Sequence, residues 1–147
     1  MPEAHAHDGW REATVDALHR KGLRNGGARR AVIDRLAGQR CCLTAQEIFD
    51  TLRASDRRVG IASVYRILEL LTSEGVAQRI DLGSGVSRYE PMWPDGHHHH
   101  LICDSCGKVE AFEDPGLERA LGRVEANSGY AVAAHDVVLH GACGDCR

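Results

Sequence analysis

The chain has 147 residues, with 18 Lys+Arg against 21 Asp+Glu and a formal net charge of −3; it is 43% hydrophobic but only 5% aromatic. That length holds one moderate domain or two small ones. No run reaches the roughly 18 apolar residues that a membrane span needs, and the opening MPEAHAHDGW lacks the basic-then-apolar pattern of a secretory signal. No membrane partner is expected, and the compartment is expected to be a reducing cytoplasm. There, six cysteines and nine histidines point to metal before disulfides.

Charge is distributed unevenly. Residues 1–88 carry 14 Lys+Arg and 11 Asp+Glu, whereas residues 89–147 carry 4 and 10 together with six of the histidines and four of the cysteines. The asymmetry predicts two domains, 1–88 and 89–147, the first mildly basic and the second an acidic body rich in metal-binding side chains.

Residues 1–9 read as a polar, mobile tail. Helical periodicity starts at Trp10 and runs through Val15 and Leu18 to Gly22; a second period uses Ala31, Val32, Leu36 and Ala37 up to Gly38. Thr44-Ala-Gln-Glu47 is a capping-box sequence opening a third helix, with Ile48 and Leu52 facing inward. A fourth helix, Ala62 to Glu74, buries Val64, Ile67, Leu68 and Leu71 and leaves Ser63, Tyr65 and Arg66 off that face. Residues 76–82 and 86–90 flank Gly83-Ser84-Gly85 as a β-hairpin.

Three helices and a hairpin in this order suggest a winged helix-turn-helix. Ser63, Tyr65 and Arg66 are then placed to meet a major groove, Arg66 with a bidentate fork for guanine or phosphate. Arg57 and Arg58 ahead of the helix, and Arg79 and Arg88 on the hairpin, are candidate phosphate contacts. The competing reading is a protein-binding helical module with solvated arginines.

Cys103-Asp-Ser-Cys106 and Cys143-Gly-Asp-Cys146 are two CxxC pairs with 36 residues between them. Two such knuckles complete a tetrahedral four-thiolate site, for which zinc is the natural occupant; Gly107 and Gly144 stand where the chain must turn close to the ion. Redox-active pairs or disulfides are the alternatives, disfavoured in a reducing compartment. His97-His-His-His100 leads directly into the first knuckle. On an extended chain, His97 and His99 point one way and His98 and His100 the other, two bidentate clamps on opposite faces. Further donors must come from Glu90, Glu110, Glu113, Glu118, His135, His140 or the Cys41-Cys42 pair, and spacing does not choose among them. Glu118 sits on an amphipathic helix with Leu117, Leu121 and Val124, and His135 lies in the alternating run from Tyr130 to Leu139.

The segment Gly60-Ile-Ala-Ser-Val-Tyr-Arg66, the stretch HHHHLICDSCGKVEAF and the closing CGDC resemble the ferric uptake regulator family of bacterial metal-sensing repressors, from about residue 20 to the C-terminus. The resemblance implies an α+β fold, an N-terminal winged helix followed by a small α/β dimerisation domain, with a hinge near Tyr89-Glu90. It implies a structural zinc on Cys103, Cys106, Cys143 and Cys146, and a second site within the dimerisation domain on His97, His99, Glu118 and His135. A sensor site at the hinge is implied on Glu90, His98 and His100, with a fourth ligand from just before the third helix, where Cys42 stands. Iron-sensing relatives commonly have histidine at that position and aspartate where this chain has His99; many carry a carboxylate where it has Ala111.

Thiolate and added imidazole soften the ligand sets and favour zinc over iron or manganese, so a regulator of zinc-uptake type is expected, with Zn2+ or Fe2+ as the regulatory ion. The expected partners are a double-stranded DNA operator and a second copy of the chain, with no small organic substrate and no catalytic residue. An iron- or peroxide-sensing regulator of the same family is the nearest alternative. Outside the family stand a zinc-buffering protein, which has no need of Tyr65, Arg66 and the hairpin, and a zinc hydrolase, which needs an open metal position beside a general acid or base.

Overall fold

A computed structural model describes residues 2–39, 41–93 and 97–147, with side chains from Asp8 onward. The chain divides into two units, Met1–Gly96 and His97–Arg147.

The first unit begins with α1 (Pro2–Arg20). The expected tail is therefore helical from Pro2, while Met1 lies outside the described residues; proline at the first helical position has the right φ and lacks only an N–H that would be unpaired anyway. Trp10 ties this helix down, its Nε1–H donating to the Val76 carbonyl at 2.8 Å. α2 (Gly27–Ala37), α3 (Ala45–Ala54) and α4 (Ile61–Ser73) follow. The capping box forms as read: Thr44 Oγ1 accepts from Glu47 N at 3.1 Å and Glu47 Oε2 accepts from Thr44 N at 2.8 Å. Leu18, Ile33, Leu36, Ile48, Leu68 and Leu71 are fully buried in one core. Gly75 ends α4 with φ 71°, a left-handed turn that glycine adopts without cost.

The hairpin is β2 (Ala77–Asp81) against β3 (Ser87–Pro91). A two-residue strand too short for periodicity to reveal, β1 (Leu43–Thr44), joins it to give the antiparallel order β1-β3-β2. Because β3 pairs with β2 as far as Ala77↔Pro91, the first unit continues past the expected boundary at residue 88 and includes Tyr89 and Glu90.

The second unit is a three-stranded sheet and one helix. β4 (His99–Cys103) lies between β5 (Val109–Phe112), antiparallel to it, and β6 (Val138–Gly141), parallel to it. α5 (Pro115–Ser128) connects β5 to β6, capped by Asp114, whose Oδ1 accepts from Leu117 N at 3.0 Å. Only the end of the alternating run from Tyr130 to Leu139 is strand; residues 130–137 have no regular structure. None of the residues of α5 is buried, although Leu117, Leu121 and Val124 give it an apolar face. The fold class is α+β, as read.

Candidate metal centres and DNA-facing helix

The two CxxC knuckles leave the ends of neighbouring strands, Cys103 closing β4 and Cys143 following β6. Their four sulfurs lie within 4.8 Å of one another. Cys106 Sγ and Cys143 Sγ are 3.8 Å apart, and two thiolates bound tetrahedrally to one zinc at ~2.3 Å are themselves about 3.8 Å apart. Gly107 turns the first knuckle with φ 76° and donates its N–H to the Cys103 carbonyl at 2.8 Å. Gly144 is not among the left-handed glycines, so the expected symmetry of the two knuckles holds for the cysteines and not for the glycines.

The electrostatics suit a cation. Backbone N–H donors, led by that of Cys143 (3.3 Å from Cys103 Sγ), hold the Cys103 thiol down to about 6. Cys146 is pushed up to about 12, chiefly by the Cys143 thiol beside it. Four sulfurs this close cannot all ionise by themselves; a divalent cation releases the remaining protons, and the donor set fits one.

A second cluster gathers His97, His99, Glu118 and His135, with ligand atoms again within 4.8 Å. α5 presents Glu118 from its first turn, β4 presents His99, and His97 precedes that strand on the same side. Glu118 Oε1 is 2.6 Å from His99 Nε2, and Oε2 is 3.0 Å from His135 Nε2. His97 Nε2 faces His135 Nε2 at 2.9 Å. Three imidazole nitrogens aimed at one carboxylate match a three-nitrogen, one-oxygen metal site. The hydrogen bond from His99, aided by charge from His135 and His97, holds the Glu118 carboxyl below its ordinary value. All four residues are those implied for this site.

The sensor residues belong to different units. In the first, Glu90 is buried and accepts from Gln78 Nε2 at 2.5 Å. Cys42 is 6% exposed with its sulfur 3.8 Å from that of the half-buried Cys41; the Cys41 thiol and burial push its pKa far up. In the second, the His98 and His100 rings stack edge-on at 4.9 Å, separate from the His97/His99 cluster as period two requires. Glu110 pairs with Lys108 at 2.6 Å and Ala111 sits opposite His100, so Glu110 does not take the place of the carboxylate missing at Ala111.

On α4, Tyr65 is 47% exposed, and Arg66 is exposed with Nη2 donating to Ser63 Oγ at 3.1 Å. Arg57, Arg58 and Arg79 are exposed, Arg57 also reaching Asp34 at 3.7 Å. Arg88 corrects the reading of a phosphate contact. Its side chain is 10% exposed on the central strand β3, where Nη1 faces Glu47 Oε2 at 3.8 Å. Sequence reasoning missed this because alternation along the hairpin does not reveal which strand a third strand will cover.

The model of the ferric uptake regulator family matches residues 20–140, through the fourth helix, the histidine run and the first knuckle. This chain belongs to the ferric uptake regulator family. It is 36% identical over 105 residues to the ferric uptake regulation protein of Bordetella parapertussis, covering 71% of this chain and 75% of that one. Its fold is similar to that of the Helicobacter pylori ferric uptake regulator, a protein with three functional metal binding sites, at 29% identity and a TM-score of 0.82 over 95% of this chain and 93% of that one. It is also similar to a zinc-bound manganese uptake regulator, at 28% identity and a TM-score of 0.76 over 88% and 98%. Ferric uptake regulator proteins are metal-responsive transcription regulators rather than enzymes, and the four-cysteine and histidine–glutamate clusters are this member's metal-site candidates. Among the described residues no helix is long and apolar enough to cross a membrane.

Proposed function

We propose that this chain is a zinc-responsive repressor that binds a double-stranded operator as a homodimer. Zinc is supported by the soft, nitrogen-rich donors this chain offers, the Cys41-Cys42 thiols and the histidines read for the sensor together with the second cluster, His97, His99, Glu118 and His135. Three imidazoles with one carboxylate suit four-coordinate zinc, whereas manganese favours oxygen-rich octahedral sites. The zinc-bound neighbour is a manganese uptake regulator, and the support for zinc here is the donor chemistry of this chain. Cys103, Cys106, Cys143 and Cys146 hold a structural zinc.

The sensor ion takes a thiolate of the Cys41-Cys42 pair, read from sequence as Cys42, with Glu90, His98 and His100. Such a set spans both domains, so metal that binds the closed arrangement better shifts the population toward it. DNA must then tighten metal binding by the same factor. Ser63, Tyr65 and Arg66 read the groove, with Arg57 and Arg58 on phosphates. The homodimer reading is supported by exposed apolar side chains on the second unit: Val124 is 63% exposed, Tyr130 76% and Leu139 48%. An uncovered apolar area of this kind marks an association surface.

The test is an anaerobic titration of Zn2+, Fe2+ and Mn2+ into protein keeping only its four-cysteine zinc. Binding is followed to duplexes selected from a random library at saturating zinc. Activation at the lowest free concentration by zinc is expected. Activation by iron at lower free concentration overturns the zinc reading, and DNA binding indifferent to every metal overturns the regulator reading.

A further inference from the structure

We infer that His140 and Asp104 form a clamp that positions the two cysteine knuckles for their metal, an inference resting on the reading of Cys103, Cys106, Cys143 and Cys146 as a zinc site. The four sulfurs come from two segments far apart in sequence, so their geometry depends on how the ends of β4 and β6 are held together. Backbone pairing carries the strands only to Cys103↔Gly141, and beyond it the two chains turn into their knuckles. At that point Asp104 N donates to the Gly141 carbonyl at 2.8 Å. The Asp104 side chain reaches back across the same gap, its Oδ1 lying 3.0 Å from His140 Nδ1. An ionised carboxylate only accepts, so Nδ1–H is the donor and the neutral imidazole suffices.

Asp104 is the residue after Cys103, and His140 precedes Cys143 by three positions. One side-chain hydrogen bond therefore bridges the two knuckle roots, next to the N–H···S bond from Cys143 to Cys103. Both side chains are substantially exposed, 45% and 62%, so the pair adds little to global stability. Its effect is on ligand placement: the knuckles open against each other when zinc leaves, and the clamp resists that opening. Partners outside the ligands themselves commonly change metal retention by about 10- to 100-fold; an exposed pair that touches no thiolate and acts only through the backbone at Cys103 and Gly141 belongs at the lower end.

The experiment uses the full chain with Cys41 and Cys42 replaced by serine, the wild type of this comparison, so that only the four-cysteine site offers thiolates. Co2+ is bound there, and the decay of its thiolate-to-cobalt charge-transfer absorption is followed on adding excess chelator. Wild type, His140→Ala, Asp104→Ala, the double variant and His140→Asn are compared, with thermal unfolding measured alongside. The expected result is release about tenfold faster in each alanine variant, no further acceleration in the double variant, and recovery in His140→Asn, whose amide can donate in place of Nδ1–H. Unchanged release in His140→Ala overturns the clamp, as does multiplication of the two effects in the double variant or failure of His140→Asn to recover. A wild-type chain that shows no charge-transfer band overturns the metal site itself, a different failure.

Discussion

His99 Nε2 and Glu118 Oε1 are 2.6 Å apart, with His99 only 1% exposed and Glu118 on the first turn of α5. The contact joins the helix to the middle of the sheet and makes Glu118 the acidic centre of the histidine cluster. Glu118→Gln is expected to lose the metal of that cluster while the four-cysteine metal stays, as read by metal analysis after dialysis. Retention of both metals would sink the ligand role.

The same pair has a pH signature in protein stripped of the cluster's metal. Glu118 is held below its ordinary 4.5, first by the His99 hydrogen bond and then by charge from His135 and His97. A depressed carboxylate contributes stability above its unfolded pKa and loses it as pH falls through the folded one. Melting temperature is therefore expected to drop on acidification below about pH 4.5 more steeply in wild type than in Glu118→Gln. Parallel curves contradict this.

Cys143→Ser leaves three thiolates, while the backbone N–H at that position still donates to Cys103 Sγ. Structural zinc sites supply ~10 kcal/mol or more to folding, so loss of one tightly held zinc and of the dimer is expected by metal analysis and sedimentation. A dimeric variant with full zinc content contradicts the assignment.

Arg66→Ala, alone or with Tyr65→Ala, is expected to weaken operator binding by roughly 1–3 kcal/mol if Arg66 contacts a base, without changing metal stoichiometry. Fluorescence anisotropy with a selected duplex measures it. Equal affinity for the double variant and wild type would place DNA contact elsewhere.

Cys42→Ser and Cys41→Ser separate the candidate sensor thiols. Cys42 is buried and its thiol strongly resists ionisation beside Cys41, whereas Cys41 is half-buried. The ligand's replacement is expected to raise the zinc needed for operator binding while sparing the four-cysteine zinc, since neutral serine is a poor donor. If both variants keep the wild-type zinc dependence, neither thiol is a sensor ligand.

Local signals determined much of this molecule. The Thr44–Glu47 capping box, the α4 face of Val64, Ile67, Leu68 and Leu71, and the Gly83-Ser84-Gly85 turn are decided by residues within a few positions of one another, and all three stand as read. Period two along residues 97–100 likewise separates His97 and His99 from His98 and His100, even though regular strand begins only at His99. Long-range pairing decided the rest. Nothing local announces that Leu43-Thr44 adds a third strand, which makes β3 central, buries Arg88 against Glu47 and carries the first unit beyond residue 88. Spacing also could not select Glu118 and His135 from eight candidate donor residues. Their convergence depends on α5 crossing from β5 to β6, and a crossover is a property of the whole sheet. The sequence alone determined which residue types could bind metal. The tertiary structure decided which of them share one cluster, because a coordination sphere only ~2 Å in radius is set by strand order and helix placement rather than by neighbours in the chain.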